Sequence, residues 1–409
     1  MKELIITARC YFDGRIYHDR GPYRLHIRDD LIVSIQSAPF QLADLPQGGS
    51  HAELLNVDFL MPGLVEAHCH LFLDGGELDY AARSDYLKVP QEKMLQTARC
   101  NVAANQAAGI TLIRDAGDRY GVNHAIRQEY VAREGAPAIR SPGLGLRQPK
   151  KYGAFMAREV STEREIRSAV AETALQANDL KILLSGIIDF EAGAVTKPPQ
   201  FDLAQLKLML ALAAECGLKT FAHCSGLDSL KIAVEAGVDS IEHGFFMTAD
   251  ILDVMAEKQI AWVPTFSPVH FQWSRPELAR WSENTIDNLR RILDNHLRHV
   301  EIAHRRGVPL VAGSDAGSYG VCHGLALIDE LGFFLEAGLP MQQVLESATS
   351  RPRRMWNCHL ANIEAHNPAD FVVLGTSPFE DAQALRDVRM VYSQGGLVKI
   401  GQHPAVVVA

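Results

Sequence analysis

The apolar positions along the chain follow two periods, one at the ends and another in the middle. Near the start, short apolar or alternating runs fall at 4–7, 23–27 and 31–35, separated by turn signals such as Asp13-Gly14 and Asp29-Asp30. The tail repeats that texture at 371–374, 388–392 and 397–400, with Gly395-Gly396 between the last two. Between the ends, apolar runs at 60–70, 111–115, 138–141, 180–185, 219–223, 240–243, 260–265 and 309–315 each finish in polar residues. Helical stretches separate most of them. One covers 163–178; another covers 202–216, with Leu203, Leu206, Leu210 and Ala213 on one face. Eight strands joined by helices predict a parallel sheet that closes on itself. The expected fold is therefore α/β: a (β/α)8 TIM barrel over 61–361, with a small β-sandwich-like domain built from both termini, 1–60 and 362–409. The stretch 266–283 breaks the rhythm with Pro268, His270, Trp273, Pro276 and Trp281. It reads either as a lid or wall over a site, or as a surface excursion packed by its own aromatics.

Composition narrows the partners. A hydrophobic fraction of 47% and a charged fraction of 22% are those of an ordinary globular chain, and 409 residues suffice for a barrel plus a smaller domain. The net charge of −9 comes with no basic stripe, which argues against nucleic acid or an anionic membrane and leaves a small-molecule substrate as the expected partner. A homo-oligomer stays open. The seven cysteines are odd in number, scattered and without a CxxC pair, so no disulfide framework is expected. The start carries no signal-like apolar stretch, and no apolar run approaches the ~20 residues of a membrane span. The expected location is cytoplasmic.

The chemistry sits at the ends of the apolar runs. His68 and His70 lie two apart at the end of the first, so on a strand they face the same side. Alone, such a pair is more often a satisfied pair or a surface accident than a metal site. His223, His243 and Asp315 close three further runs, however, and barrel enzymes build their sites at that face. Lys181 lies within a strongly apolar strand. Either it snorkels to solvent, or burial lowers its pKa and makes the amine nucleophilic enough to capture carbon dioxide as a carbamate that can bridge two cations. Asp315 is either a turn carboxylate or a metal ligand that also accepts a proton.

With these residues in hand, the chain resembles the amidohydrolase superfamily, and its spacing is similar to the branch of imidazolonepropionase-like enzymes and Xaa-Pro or Xaa-Arg dipeptidases. The carrying motifs are MPGLVEAHCH (His68, His70), LKILLSG (Lys181), FAHCSG (His223), SIEHG (His243) and AGSDAG (Asp315). The resemblance implies a binuclear centre of divalent ions, zinc by family habit. His68, His70 and Asp315 would hold one ion and His223 and His243 the other, with carboxylated Lys181 and a hydroxide between them. It also implies that Asp315 shuttles a proton and that His323, in CHGLALIDELGFFLEAGL, lies near substrate; His323 reads equally as structural. Two segments depart from the dipeptidase pattern: Cys224-Ser225-Gly226 after the fifth-strand histidine, and Gln148–Gly153 after the third strand. Arg147, Tyr152 and Ser225 become candidate substrate contacts there. Arg147 and Tyr152, with Lys150 and Lys151, read either as a carboxylate anchor or as a solvated loop.

The implied activity is hydrolysis of an amide C–N bond in a small carboxylated substrate, a dipeptide or N-acyl amino acid. The alternatives are a hydrolase of cyclic amides or imidazolones, a ring-amidine deaminase (which Lys181 counts against), and a non-catalytic metal-binding barrel.

Overall fold

A computed structural model describes residues 3–40 and 53–400 of the chain. Its strands, in chain order, are β1 (Glu3–Phe12), β2 (Tyr17–His18), β3 (Tyr23–Arg28), β4 (Leu31–Ser37), β5 (Glu53–Pro62), β6 (Leu64–Cys69), β7 (Ile110–Asp115), β8 (Ala138–Arg140), β9 (Gly145–Arg147), β10 (Ala157–Glu159), β11 (Asp179–Leu183), β12 (Lys219–Cys224), β13 (Ser240–His243), β14 (Ala261–Val263), β15 (Phe371–Leu374), β16 (Val388–Ser393) and β17 (Gly396–Lys399). The helices are α1 (Tyr80–Tyr86), α2 (Gln91–Ala107), α3 (Val122–Tyr130), α4 (Glu163–Ala174), α5 (Leu203–Glu215), α6 (Leu227–Ala236), α7 (Ala249–Lys258), α8 (Ser267–Ser274), α9 (Pro276–Ala279), α10 (Glu283–Arg306), α11 (Leu325–Glu336), α12 (Met341–Ser347) and α13 (Ser350–Met355).

The two β-like ends meet in one sheet, ordered β17-β16-β15-β5-β1-β3-β4 with β2 on β1. The parallel β1–β5 pair lies at its middle, and the C-terminal strands add antiparallel to β5. Alternation decides which residue faces what. Leu60, Phe371 and Val373 join a cluster with Leu4, Ile6, Leu25 and Ile27, while Phe59, Met61, Val372 and Leu374 join the core of the barrel. The run read as one strand over 60–70 is two. β5 ends at Pro62 in the small sheet, and β6 begins at Leu64 in the barrel. Gly63 is the joint; a Cβ there would come within 2.0 Å of the Thr111 hydroxyl and 2.2 Å of Asp370.

The barrel is made of the parallel ladders β6-β7-β8 and β10-β9-β11-β12-β13-β14. Its eighth segment differs from expectation, because 309–315 forms no ladder strand. It carries a single bridge, Leu310 with Trp262, yet its backbone closes the ring: Val311 N donates to Trp262 O, Ala67 N to Ala312 O and Asp315 N to His68 O. Helix ends follow their caps. α4 and α5 open on capping boxes, Thr162 with Glu165 and Asp202 with Gln205. The buried face of α5 is Leu206, Met209 and Ala213, so Met209 takes the place expected for Leu210. In the stretch after β14, α8 and α9 form, Pro268 and Gln272 line a cavity while Trp273 and Trp281 pack in a cluster with Val269, and Glu330 of α11 pins the start of α8. The Glu330 carboxylate accepts from Phe266 N (3.0 Å), Ser267 N (2.6 Å) and Ser267 Oγ (2.6 Å).

Glu330 is fully buried, and that burial pushes its pKa up to about 8, against the pull of the Ser267 and Phe266 donors. An acid whose folded pKa lies above its unfolded one holds more protons when folded, so its contribution is full below the unfolded value and is lost as pH rises through the folded value. The window runs from the ordinary glutamate range to about 8. Glu330→Gln is uncharged throughout that window. The melting-temperature difference, wild type minus variant, should therefore fall steadily between pH 5 and pH 8; a constant difference would mean that the donors already hold the anion.

Candidate metal centre

All six candidate ligands meet in one cavity. Its volume is about 320 Å³, and His68, His70, Lys181, His223, His243 and Asp315 all line it. Register explains the convergence. Lys181 pairs with Phe221 across β11 and β12, His223 with Glu242 across β12 and β13, and Cys224 with His243. One atom each of His68, His70 and Asp315 lie within 4.8 Å of one another. Asp315 Oδ1 is 3.5 Å from His70 Nε2 and 3.8 Å from His68 Nε2, and Lys181 Nζ is 3.4 Å from His68 Nε2. The rings of His223 and His243 lie 4.6 Å apart, and that of His243 is 5.0 Å from His68. Three residues here hold left-handed backbone without being glycine: His243 (φ 69°), Thr265 (φ 52°) and Asp315 (φ 54°). Such conformations cost of order 1–3 kcal/mol each and turn the chain sharply at the strand end.

The outer partners of the rings decide where their lone pairs point. His70 Nδ1 meets the carbonyl of Gly117 at 3.3 Å, and His223 Nε2 meets that of Gly186 at 3.4 Å. A carbonyl only accepts, so each of those nitrogens carries the hydrogen and the other keeps its lone pair. His68 Nδ1 lies 2.5 Å from the Glu242 carboxylate, which leaves its Nε2 free beside Lys181 and Asp315. His243 Nδ1 lies 2.7 Å from Thr265 Oγ1, and the Trp262 indole donates to the His243 carbonyl. Burial drives all four imidazoles well below their ordinary pKa, His70 and His223 to about 3, so they are neutral donors at neutral pH. Burial also lowers the Lys181 amine, against the pull of Glu242 and Asp315, and raises the Asp315 carboxyl, against Lys181. Neutral imidazoles with inward lone pairs, a carboxylate and a deprotonatable amine suit divalent metal.

A second layer of charge sits beneath. Glu242 accepts from Ser240 Oγ (2.6 Å) as well as from Arg114 Nη2 (3.1 and 3.2 Å), and Arg114 Nε donates to Ala67 O. The Arg114 guanidinium lies between the rings of Phe221 and Trp356, 4.4 and 4.7 Å from their centroids. Glu66 accepts from His68 N, Ser314 N and Ser314 Oγ, tying the first and eighth segments together beside Asp315.

The expected substrate contacts separate. Tyr152 and Ser225 line the cavity. Arg147 is absent from its lining; its guanidinium pairs with Glu159 at 2.9 Å and donates to the carbonyls of Lys151 and Ala157. His323 is buried behind the site, with Nδ1 3.4 Å from Asn105 Nδ2 and no hydrogen-bond partner at Nε2 among the described residues. Sequence reasoning missed Arg83, Phe155, Thr265, Gln272 and Tyr319, which also line the cavity. It missed Arg114 and Glu242 too, although each is a charge inside an apolar run, the same signal that marked Lys181. Among the described residues no helix is long and apolar enough to cross a membrane, and no cysteine forms a disulfide.

Known proteins share this architecture. A Xaa-Pro dipeptidase crystallised with methionine in its active site superposes with a TM-score of 0.83 at 23% identity, covering 97% of this chain and all of that one. By sequence, an uncharacterized protein of Mycobacterium tuberculosis is 27% identical over 81% of this chain and 84% of its own length. The ochratoxinase of Aspergillus niger is 26% identical over 95% of this chain and 85% of its own. The sequence pattern of the amidohydrolase family matches residues 59–398, so this chain belongs to that family of hydrolases.

Proposed function

We propose that this hydrolase cleaves the amide C–N bond of a small carboxylated substrate, a dipeptide or N-acyl amino acid, with two divalent metal ions, zinc by the preference of its imidazole donors. The observation that carries the reading is the meeting of His68, His70 and Asp315 within 4.8 Å, in the cavity that also receives Lys181, His223 and His243. The names of the dipeptidase and ochratoxinase relatives agree with hydrolysis. In this reading His68, His70 and Asp315 hold one ion and His223 and His243 the other. The buried amine of Lys181, once deprotonated, would add to carbon dioxide with loss of one proton to solvent, and the carbamate would be a further anionic ligand for the ions. Bound there, the ions would lower the pKa of water and draw electron density from the scissile carbonyl.

The remaining work falls to side chains. Asp315 takes the proton of the attacking water and returns it to the leaving nitrogen; burial already favours its protonated form, and Lys181 opposes that, so it can both accept and give. Glu242 holds His68 in the tautomer that points Nε2 inward, and Arg114 pairs with Glu242 and holds it in place. Phe155, Phe190 and Phe245 line the same cavity and give it apolar walls. His323, behind the loop after β6, would act by positioning.

Four measurements test this. Elemental analysis of protein purified without chelators, with bicarbonate present, should find about two divalent ions per chain; about one would favour the ring-amidine deaminase and demote Lys181. Lys181→Ala should lose metal and activity together, and full activity in that variant would defeat the carbamate. Asp315→Asn should keep its circular-dichroism melt and lower kcat by roughly 10²–10⁴-fold; near wild-type turnover would remove Asp315 from proton transfer. Glu242→Gln should weaken metal affinity by about 10–100-fold, read by competition with a chelating dye.

A further inference from the structure

Besides Lys181, one cation lines the metal cavity: Arg83, on α1. None of the seven residues of α1 is buried, so the helix is held in place by polar contacts more than by a core. Arg83 supplies most of them. Nη1 donates to the carbonyls of Asp74 (2.6 Å) and Glu77 (3.2 Å), and Nη2 to that of Gly317 (2.9 Å), two residues beyond Asp315. The Tyr319 ring, stacked on Tyr80 at 4.6 Å, lies 5.8 Å from the guanidinium carbon. A guanidinium has five N–H donors. Three are committed to carbonyls, which leaves Nε–H and one hydrogen on Nη2. Among the described residues Arg83 forms no ion pair, and Asp315 is the one carboxylate in the cavity lining. A cation fixed by three carbonyls, with an unspent pair of donors and only through-space attraction from Asp74 and Glu77, is pre-organised for a carboxylate and loses little rotamer entropy in binding one.

Much of the remaining lining is apolar: Phe155, Met156, Ile187, Ile188, Phe190 and Phe245 contribute to it. Ile187 is 59% exposed, a large apolar side chain that a ligand in the cavity would cover. Covering such a side chain favours binding.

We propose that Arg83 binds the substrate carboxylate and that the acyl side of the scissile amide carries a large apolar or aromatic group seated against the Ile187–Phe190 wall. The inference rests on the amide-hydrolase reading of the site and names its substrate class. A competing receptor exists. Lys150, Lys151 and Lys197 line an adjoining cavity that shares Tyr152, Ile187 and Ile188 with this one. All three lysines are exposed, and hydrated ammonium groups on free stems give a weaker, less directed site than a clamped guanidinium.

The test compares N-benzoyl-phenylalanine with its C-terminal carboxamide, reading benzoate release from the metal-loaded enzyme. Wild type should prefer the acid. Arg83→Gln should lower kcat/KM for the acid about 10- to 100-fold, mainly through KM, and move the carboxamide far less; Arg83→Lys should recover part of the loss. An equal loss on both substrates would make Arg83 a brace for α1 only and overturn the proposal. So would an acid-selective loss in Lys150→Gln/Lys151→Gln with none in Arg83→Gln. If wild type releases no benzoate, the amide-hydrolase reading is what fails, and calorimetry with the same acid still decides Arg83: weaker binding by Arg83→Gln supports its role, and equal binding ends it.

Discussion

Burying charge in the bore of a barrel is the demand to which the rest of this structure responds. Glu66, Arg114 and Glu242 are all at most 1% exposed, and an unpaired charge at such depth costs several kcal/mol. None is left alone. Arg114 meets Glu242, Glu242 meets His68, Glu66 meets Ser314, and the aromatic faces of Phe221 and Trp356 enclose the guanidinium. This network is polar scaffolding beneath the ligand layer. It fixes the tautomer of His68, sets the spacing between the first and eighth segments, and makes the ligand geometry a property of the fold and not of loop conformation.

The positive backbone angles at His243, Thr265 and Asp315 belong to the same logic. Each lets a strand stop at the rim and deliver a side chain inward, and each is held by neighbours: the Trp262 indole on the His243 carbonyl, the Thr265 hydroxyl on the His243 ring, the His68 carbonyl on the Asp315 amide. The conformational cost is carried by the surrounding core, which is why such residues sit where a site is wanted and are scarce elsewhere in the ladders.

Much of this could be read from the residues, for a physical reason. A strand-end histidine or aspartate announces itself by chemistry that an apolar run does not need, and Lys181 announces itself by the cost of its burial. The alternating sheet and barrel were legible because periods of two and 3.6 are local. What stayed hidden depends on distant partners. Nothing near Gly63 says that β5 leaves the run for another sheet; the reason is Thr111 and Asp370, far along the chain. Leu210 and Met209 are equally apolar, and only the neighbouring helices choose between them. Arg147 and Arg83 are indistinguishable as letters. Glu159 pairs with the first, while three carbonyls clamp the second beside the cavity and leave two of its N–H donors unspent.

The placement of β5 also has a temporal meaning. Through Gly63 it runs directly into β6, which leads to the first two histidines, and in the sheet it is flanked by β1 on one side and β15 on the other. β1 is made before β5, but β15 begins only at Phe371, some three hundred residues later on the ribosome. Until that strand emerges, β5 has an open edge with unpaired backbone donors and acceptors, and the segment that orients His68 and His70 is anchored on one side only. Assembly of the cavity thus waits for nearly the whole chain. The imidazoles that line it are scattered while the chain is being made and are gathered only when its last strands are in place.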